Sequence, residues 1–165
     1  MPAAGVERFE STGAKHIVSH TVEMMLASLS VIWGGVCERF PKVRFAFLES
    51  GGGWIAPWLD RMDRHFDDNG VFNDTTLKLL PSEYFRRQVY ATFWFERGSL
   101  APALEGLQDN LMFSTDFPHP TSQTPGPASF ATGPRAYMND VLGAADPDVS
   151  RKVLQDNARH VYQLS

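Results

Sequence analysis

Three features of this 165-residue sequence predict a parallel α/β fold. Short apolar strands recur three times, each runs into a polar or glycine-rich loop, and each loop leads into a helical period. The length suits one domain, and a 43% hydrophobic, 12% aromatic composition is enough to bury a core.

Residues 1–18 carry glycine, serine and charge without a clear period and read as an N-terminal arm or entry loop; the domain proper is expected over 19–165. From His20 to Phe40, the apolar positions Val22, Met25, Leu26, Leu29, Ile32, Trp33, Val36 and Cys37 fall at steps of three and four, which is one helix face. Gly34 and Gly35 lie within that helix, and Pro41 ends it. The apolar run Val43–Glu49 reads as a buried strand stopped by Ser50-Gly51-Gly52-Gly53, and a helix with Trp58, Leu59 and Met62 inward starts at Trp54. Pro81 opens a short helix, Val89–Phe95 is rich in β-branched and aromatic residues, and a helix is expected over 99–107. Leu111–Thr115 forms the third strand. It delivers Asp116 into a Pro-rich loop of about 15 residues, a length that in compact domains is usually functional. Asp146 and Pro147 are the N-cap and first residue of a terminal helix.

Charge and composition exclude several function classes. The 19 acidic and 15 basic residues are interspersed, leaving no basic stripe for nucleic acid and no polybasic membrane patch. No apolar run reaches the roughly 18 residues that a spanning helix needs, and the N-terminus lacks the pattern of a signal peptide. With a single cysteine, Cys37, no disulfide framework or cysteine zinc site can form within the chain, so a cytoplasmic setting is expected. Gly51-Gly52-Gly53 lacks the spacing of a nucleotide-binding loop, and no serine occupies a nucleophile elbow.

In parallel α/β barrels, active sites lie where strands end and loops begin. Those positions are Glu49 and Ser50, Glu96 and Arg97, and Asp116 with His119. A carboxylate directly after a strand, as at Asp116, can ligate a divalent metal or take a proton from water; its structural alternative is a turn aspartate before Pro118. His119 is either a partner in the same site or an exposed loop histidine. His16 and His20 are four apart, as in helical zinc-binding pairs, but His16 precedes the expected helix and the pair lacks the glutamate of that motif. His65 and His160 read as surface or packing residues.

Three stretches carry a family resemblance. GGVCERFPKVRFAFLESGGGWIAPWLDRMD resembles the passage through the sixth strand of amidohydrolase-related enzymes, LPSEYFRRQVYATF their approach to the seventh, and LMFSTDFPHP their eighth strand and its loop. The tail DVSRKVLQDNARHVYQL is similar to their terminal helix, so the likeness covers about residues 20–164. It is similar to aminocarboxymuconate semialdehyde decarboxylase-like enzymes. The resemblance implies the C-terminal portion of a metal-dependent (β/α)8 barrel, strands six to eight with flanking helices. It further implies a metal-dependent hydrolase or decarboxylase acting on a small carboxylated or cyclic substrate. The divalent metal would be zinc, with manganese an alternative, and Asp116 its ligand and the catalytic proton carrier.

His119 and His20 match histidines common in relatives. Arg61 matches a helical arginine that meets the substrate carboxylate across a dimer contact in the decarboxylase branch. Glu49 and Ser50 stand where several members have a histidine before the glycines; with His119, Arg61 and His20 they form the expected substrate-binding set. A complete barrel of this kind needs about 250 residues, and the early-strand histidine ligands have no counterpart here. The chain is therefore expected either to join a missing N-terminal half or to self-associate, with weak or no metal binding alone. A non-catalytic half-barrel that works only by association is the alternative reading.

Overall fold

The computed structural model describes residues 4–68, 74–119, 122–123 and 132–165. Three parallel strands, β1 (Phe45–Phe47), β2 (Val89–Phe93) and β3 (Leu111–Phe113), lie in the order β1-β2-β3. Phe45 pairs with Val89, and Ala91 with Leu111. Each strand is linked to the next through helices, as parallel pairing requires. Every residue of the central strand is buried, in keeping with its small, β-branched and aromatic residues.

One sheet face packs on helices α3 (Ile55–Phe66), α4 (Pro81–Gln88) and α5 (Leu100–Leu107). Val89, Ala91, Phe93 and Leu111 meet Ile55, Leu59, Met62, Phe85, Leu100 and Leu104 in one core. Helix α4 starts where its sequence says it should: Pro81 is its first residue, and the Glu83 carboxylate accepts from the Leu80 N–H at 2.8 Å. Asp63 of α3 also accepts from the Ser82 N–H at 2.8 Å, which locks the two helices together.

Side-chain amides satisfy backbone carbonyls at the end of the sheet where the strands begin. Gln88 donates to Phe40 O and Val43 O, and Asn110 to Phe85 O, Arg86 O and Val89 O. The chain closes with α6 (Pro134–Leu142), α7 (Pro147–Arg151), a π-turn over Lys152–Asp156 and α8 (Asn157–Tyr162). Asp146 caps α7 by accepting from the Asp148 N–H, as its position before Pro147 predicts. Asn157 donates to Gln108 O and Leu111 O, so the last helix is pinned to the outer border of β3.

Three sequence expectations are corrected here. Helix α1 spans Thr12–Ile32 and so begins well before residue 19, inside the stretch read as an arm. Its first turns are polar and carry no hydrophobic period, and the start is fixed instead by Ser11, whose hydroxyl accepts from the Ala14 N–H. The helix also does not run on to Phe40. Gly35 adopts φ 72°, a left-handed turn that ends the helical path, and a separate α2 (Val36–Arg39) follows. The strands are shorter than their apolar runs, because pairing stops before Glu49, Phe95 and Thr115.

Candidate metal and proton-transfer site

The loops after β1, β2 and β3 leave the same end of the sheet, and the first and third bring carboxylates together. Glu49 and Asp116 both adopt left-handed backbone, at φ 64° and 59°. For residues other than glycine this conformation costs roughly 1–2 kcal/mol each, so surrounding contacts must hold it. At Glu49 the hold is the neighbouring strand: its N–H donates to Thr92 Oγ1 at 3.0 Å. At Asp116 it is a local turn, in which the His119 N–H donates to Asp116 O at 2.9 Å.

The outcome is one cluster. His119 Nδ1 lies 2.9 Å from Asp116 Oδ2 and 3.9 Å from Glu49 Oε1, and His20 Nε2 lies 3.6 Å from Glu49 Oε1. Glu49, Asp116 and His119 each offer a ligand atom within 4.8 Å of the others. Two donors each about 2.0–2.2 Å from one ion and at right or tetrahedral angles lie about 2.8–3.6 Å apart, so small side-chain adjustments suffice. A mixed set of two carboxylates and an imidazole suits zinc or manganese, and the donor set therefore fits the divalent metal that the resemblance implies. The Asp116 side chain is 15% exposed and that of His119 44% exposed, leaving an open side for a substrate.

Helix α1 forms another wall. The His16 and His20 rings lie 4.9 Å apart, and the His16 ring stacks 6.5 Å from that of His119. With Glu49, Trp94 and Phe95 the two α1 histidines line a cleft of about 400 Å³. Because α1 begins at Thr12, the four-residue spacing of His16 and His20 puts both on one face of a helix.

Two members of the expected substrate-binding set lie elsewhere. Ser50 is 2% exposed, its hydroxyl is buried without a hydrogen-bond partner, and its carbonyl accepts from Thr21 Oγ1 of α1 at 3.3 Å. Arg61 is an exposed residue of α3 that borders an apolar groove with Leu29, Trp33, Trp58, Met62 and His65, away from the Glu49 cluster. Within one chain, Arg61 does not join the other candidates.

A residue inspected only as a strand end turns out to position the loops. Glu96 is 6% exposed, and its carboxylate accepts from the backbone N–H groups of Gly52, Gly53, Trp94 and Phe95. Its own carbonyl accepts from the Tyr137 hydroxyl of α6 at 2.6 Å. Burial is the main cause that pushes the Tyr137 phenol well above its ordinary range. A side chain at Gly51 would meet Phe95 and the Glu96 carboxylate, and Gly51 has φ 76°, so glycine is required there. Glu96 stands 44 residues after Gly52, so no local sequence signal links the two.

A family model described as Amidohydrolase matches residues 4–164, and the chain belongs to that family. Solved structures agree with this assignment. The 5-carboxyvanillate decarboxylase of Sphingomonas paucimobilis is 25% identical with a TM-score of 0.73, and the match covers 99% of this chain and 47% of that one. The IDCase of Metarhizium anisopliae superimposes at 0.75 with 17% identity, over 98% of this chain and 46% of that one. A dihydroxybenzoic acid decarboxylase from Polaromonas sp. JS666, with bound manganese and the inhibitor 2-nitroresorcinol, gives 0.67 at 16% identity, over 88% and 41%. This chain thus spans less than half the length of these structures. No curated protein matches it. Among the described residues, no helix is long and apolar enough to cross a membrane.

Proposed function

We propose that this chain supplies strands six to eight of a metal-dependent (β/α)8 barrel that decarboxylates, or hydrolyses, a small carboxylated or cyclic substrate. The observation that carries the reading is the convergence of Asp116 and His119 from the end of β3 with Glu49 from the end of β1. When bound, a divalent cation, zinc or manganese, supplies Lewis-acid polarisation of substrate oxygens. Asp116 is the ligand proposed to hold it.

Decarboxylation breaks one C–C bond, releases CO2 and leaves an electron pair on carbon that must take up a proton. Asp116 and His119, 2.9 Å apart, form a pair able to hold that proton and deliver it from the open side of the cleft. His20 and Glu49 border the space where substrate would lie, while Trp94 and Phe95 offer apolar surface to a ring. Decarboxylation is favoured over hydrolysis because the structures named above include enzymes acting on aromatic acids.

The test mixes the 165-residue chain with a polypeptide carrying the first five strands of the 5-carboxyvanillate decarboxylase, with Mn²⁺ or Zn²⁺ added. CO2 release is then measured from a panel of aromatic carboxylates. Asp116→Asn should lower turnover by about 10²- to 10⁴-fold, the usual cost of losing a general acid-base group, with folding unchanged. His119→Ala should cost less. Equal turnover with asparagine would return Asp116 to the role of a turn residue.

A second reading, association without catalysis, is supported by the open sheet, in which, among the described residues, β1 pairs with β2 alone. It expects sedimentation to show a dimer or larger species at micromolar concentration, and no turnover in any mixture. A monomer would dismiss self-association.

A further inference from the structure

We infer that Glu49 is itself a metal ligand, so that this chain alone carries a three-donor divalent-cation site formed by Glu49, Asp116 and His119. The inference extends the reading of Asp116 as a metal ligand made above. It also revises the sequence expectation, in which Glu49 only lined the substrate space and the isolated chain held metal weakly or not at all.

Three independent features of Glu49 support it. Its backbone is left-handed at φ 64°, as is that of Asp116, so both strand ends bear a strain whose visible effect is to direct two carboxylates to one point. Two carboxylates with ligand oxygens within 4.8 Å of each other repel when ionised, and a cation held between them relieves that repulsion. The third feature is the outer support. Thr92 Oγ1 accepts from the Glu49 N–H at 3.0 Å and holds the backbone, while His20 Nε2 stands 3.6 Å from Glu49 Oε1, near enough to take up the outer position that supports a metal-binding carboxylate. Neither Ser50, whose hydroxyl is buried, nor Glu96, whose carboxylate is taken up by four backbone N–H groups, can serve as the third donor.

Three protein donors and an open face match a catalytic rather than a closed structural site. A donor set of two carboxylates and one imidazole is harder than a histidine-rich one, which favours Mn²⁺ relative to such a set.

The experiment is calorimetric titration of the purified 165-residue chain with MnCl2, and separately with CoCl2 followed by visible absorption, without substrate. One ion per chain should bind. Glu49→Gln keeps the size and backbone preference of the residue but should weaken binding at least about tenfold, and His119→Gln should do the same from the other strand. His20→Ala, acting through Glu49, should weaken binding by about 10-fold or less. Circular dichroism on each variant separates loss of ligand from loss of fold. If Glu49→Gln, folded, binds metal as tightly as the parent, Glu49 is not a ligand, and the Asp116 proposal stands. If the parent chain binds no ion at stoichiometric concentrations, the three-donor site is wrong, and the turnover assay alone decides the enzymatic reading.

Discussion

Changing Glu96 to glutamine removes a charge and one acceptor while preserving shape, and the hydrogen bonds around it set the size of the effect. Oε1 accepts from Gly52 and Gly53, and Oε2 accepts from Trp94 and Phe95, both at 3.2 Å. A glutamine amide has one oxygen and one NH2, so in either orientation two backbone donors face another donor in a site that is 6% exposed. Leaving a buried donor unsatisfied costs about 1–3 kcal/mol. The Gly52 N–H makes the closest of the four contacts, so the amide should keep its oxygen toward the glycines and turn its NH2 toward Trp94 and Phe95. The net loss is then about 2–4 kcal/mol, which for a chain of this size lowers Tm by roughly 10 °C. Thermal melting followed by circular dichroism, with Glu105→Gln on the exposed face of α5 as control, measures it. A Tm drop below about 2 °C would show that the four N–H groups are satisfied without the carboxylate, and the account of Glu96 as the organiser of the loops would fail.

Other perturbations have equally definite outcomes. Gly51→Ala should destabilise by about 1–2 kcal/mol from its left-handed backbone, plus the displacement of Glu96 or Phe95, and a urea midpoint equal to that of the parent would contradict this. Asn157→Ala strands Gln108 O and Leu111 O and should cost about 1–3 kcal/mol, with hydrogen exchange rising first in α8 and β3. Cys37 is fully buried, and burial pushes its thiol up to about 11 from 9.0, against a smaller lowering by the Arg87 guanidinium, so thiol reagents at pH 8 should label it only on unfolding. The sign of the pH dependence follows from the raised value. The thiol's contribution to stability is whole below 9.0 and is lost as pH rises through about 11, so a melting series across that range should flatten in Cys37→Ala.

The parts of the fold that could be read from sequence are those where local pattern and tertiary burial agree. The central strand is buried throughout and is apolar or aromatic except for Thr92, and α4 announces itself with Pro81 and Glu83. The start of α1 could not be read from hydrophobicity, since its first turns are polar and histidine-bearing, although Ser11 was a usable cap signal. The site was half legible. Asp116 and Glu49 stand out as carboxylates at strand ends, but only the parallel register and two left-handed turns place them beside each other. Glu96 looked equally promising by position, yet its carboxylate is spent on backbone N–H groups, a distinction that no one-dimensional pattern carries. Arg61 stood out by family resemblance alone, and the structure places it on the far helix layer.

The left-handed backbone of Glu49 and Asp116 sets stability against use at these two positions. Glycine or asparagine would adopt the same turns with less strain, so a screen that rewards only thermal resistance should drift toward those residues and erode the cluster while the melting point holds or rises. A homologous chain carrying glycine at both turns would keep this architecture and have lost the donors, whereas one that keeps both acids bears a continuing cost in foldedness. Persistence of two unfavourable residues against that drift would itself record that the turns are maintained for what their side chains bind.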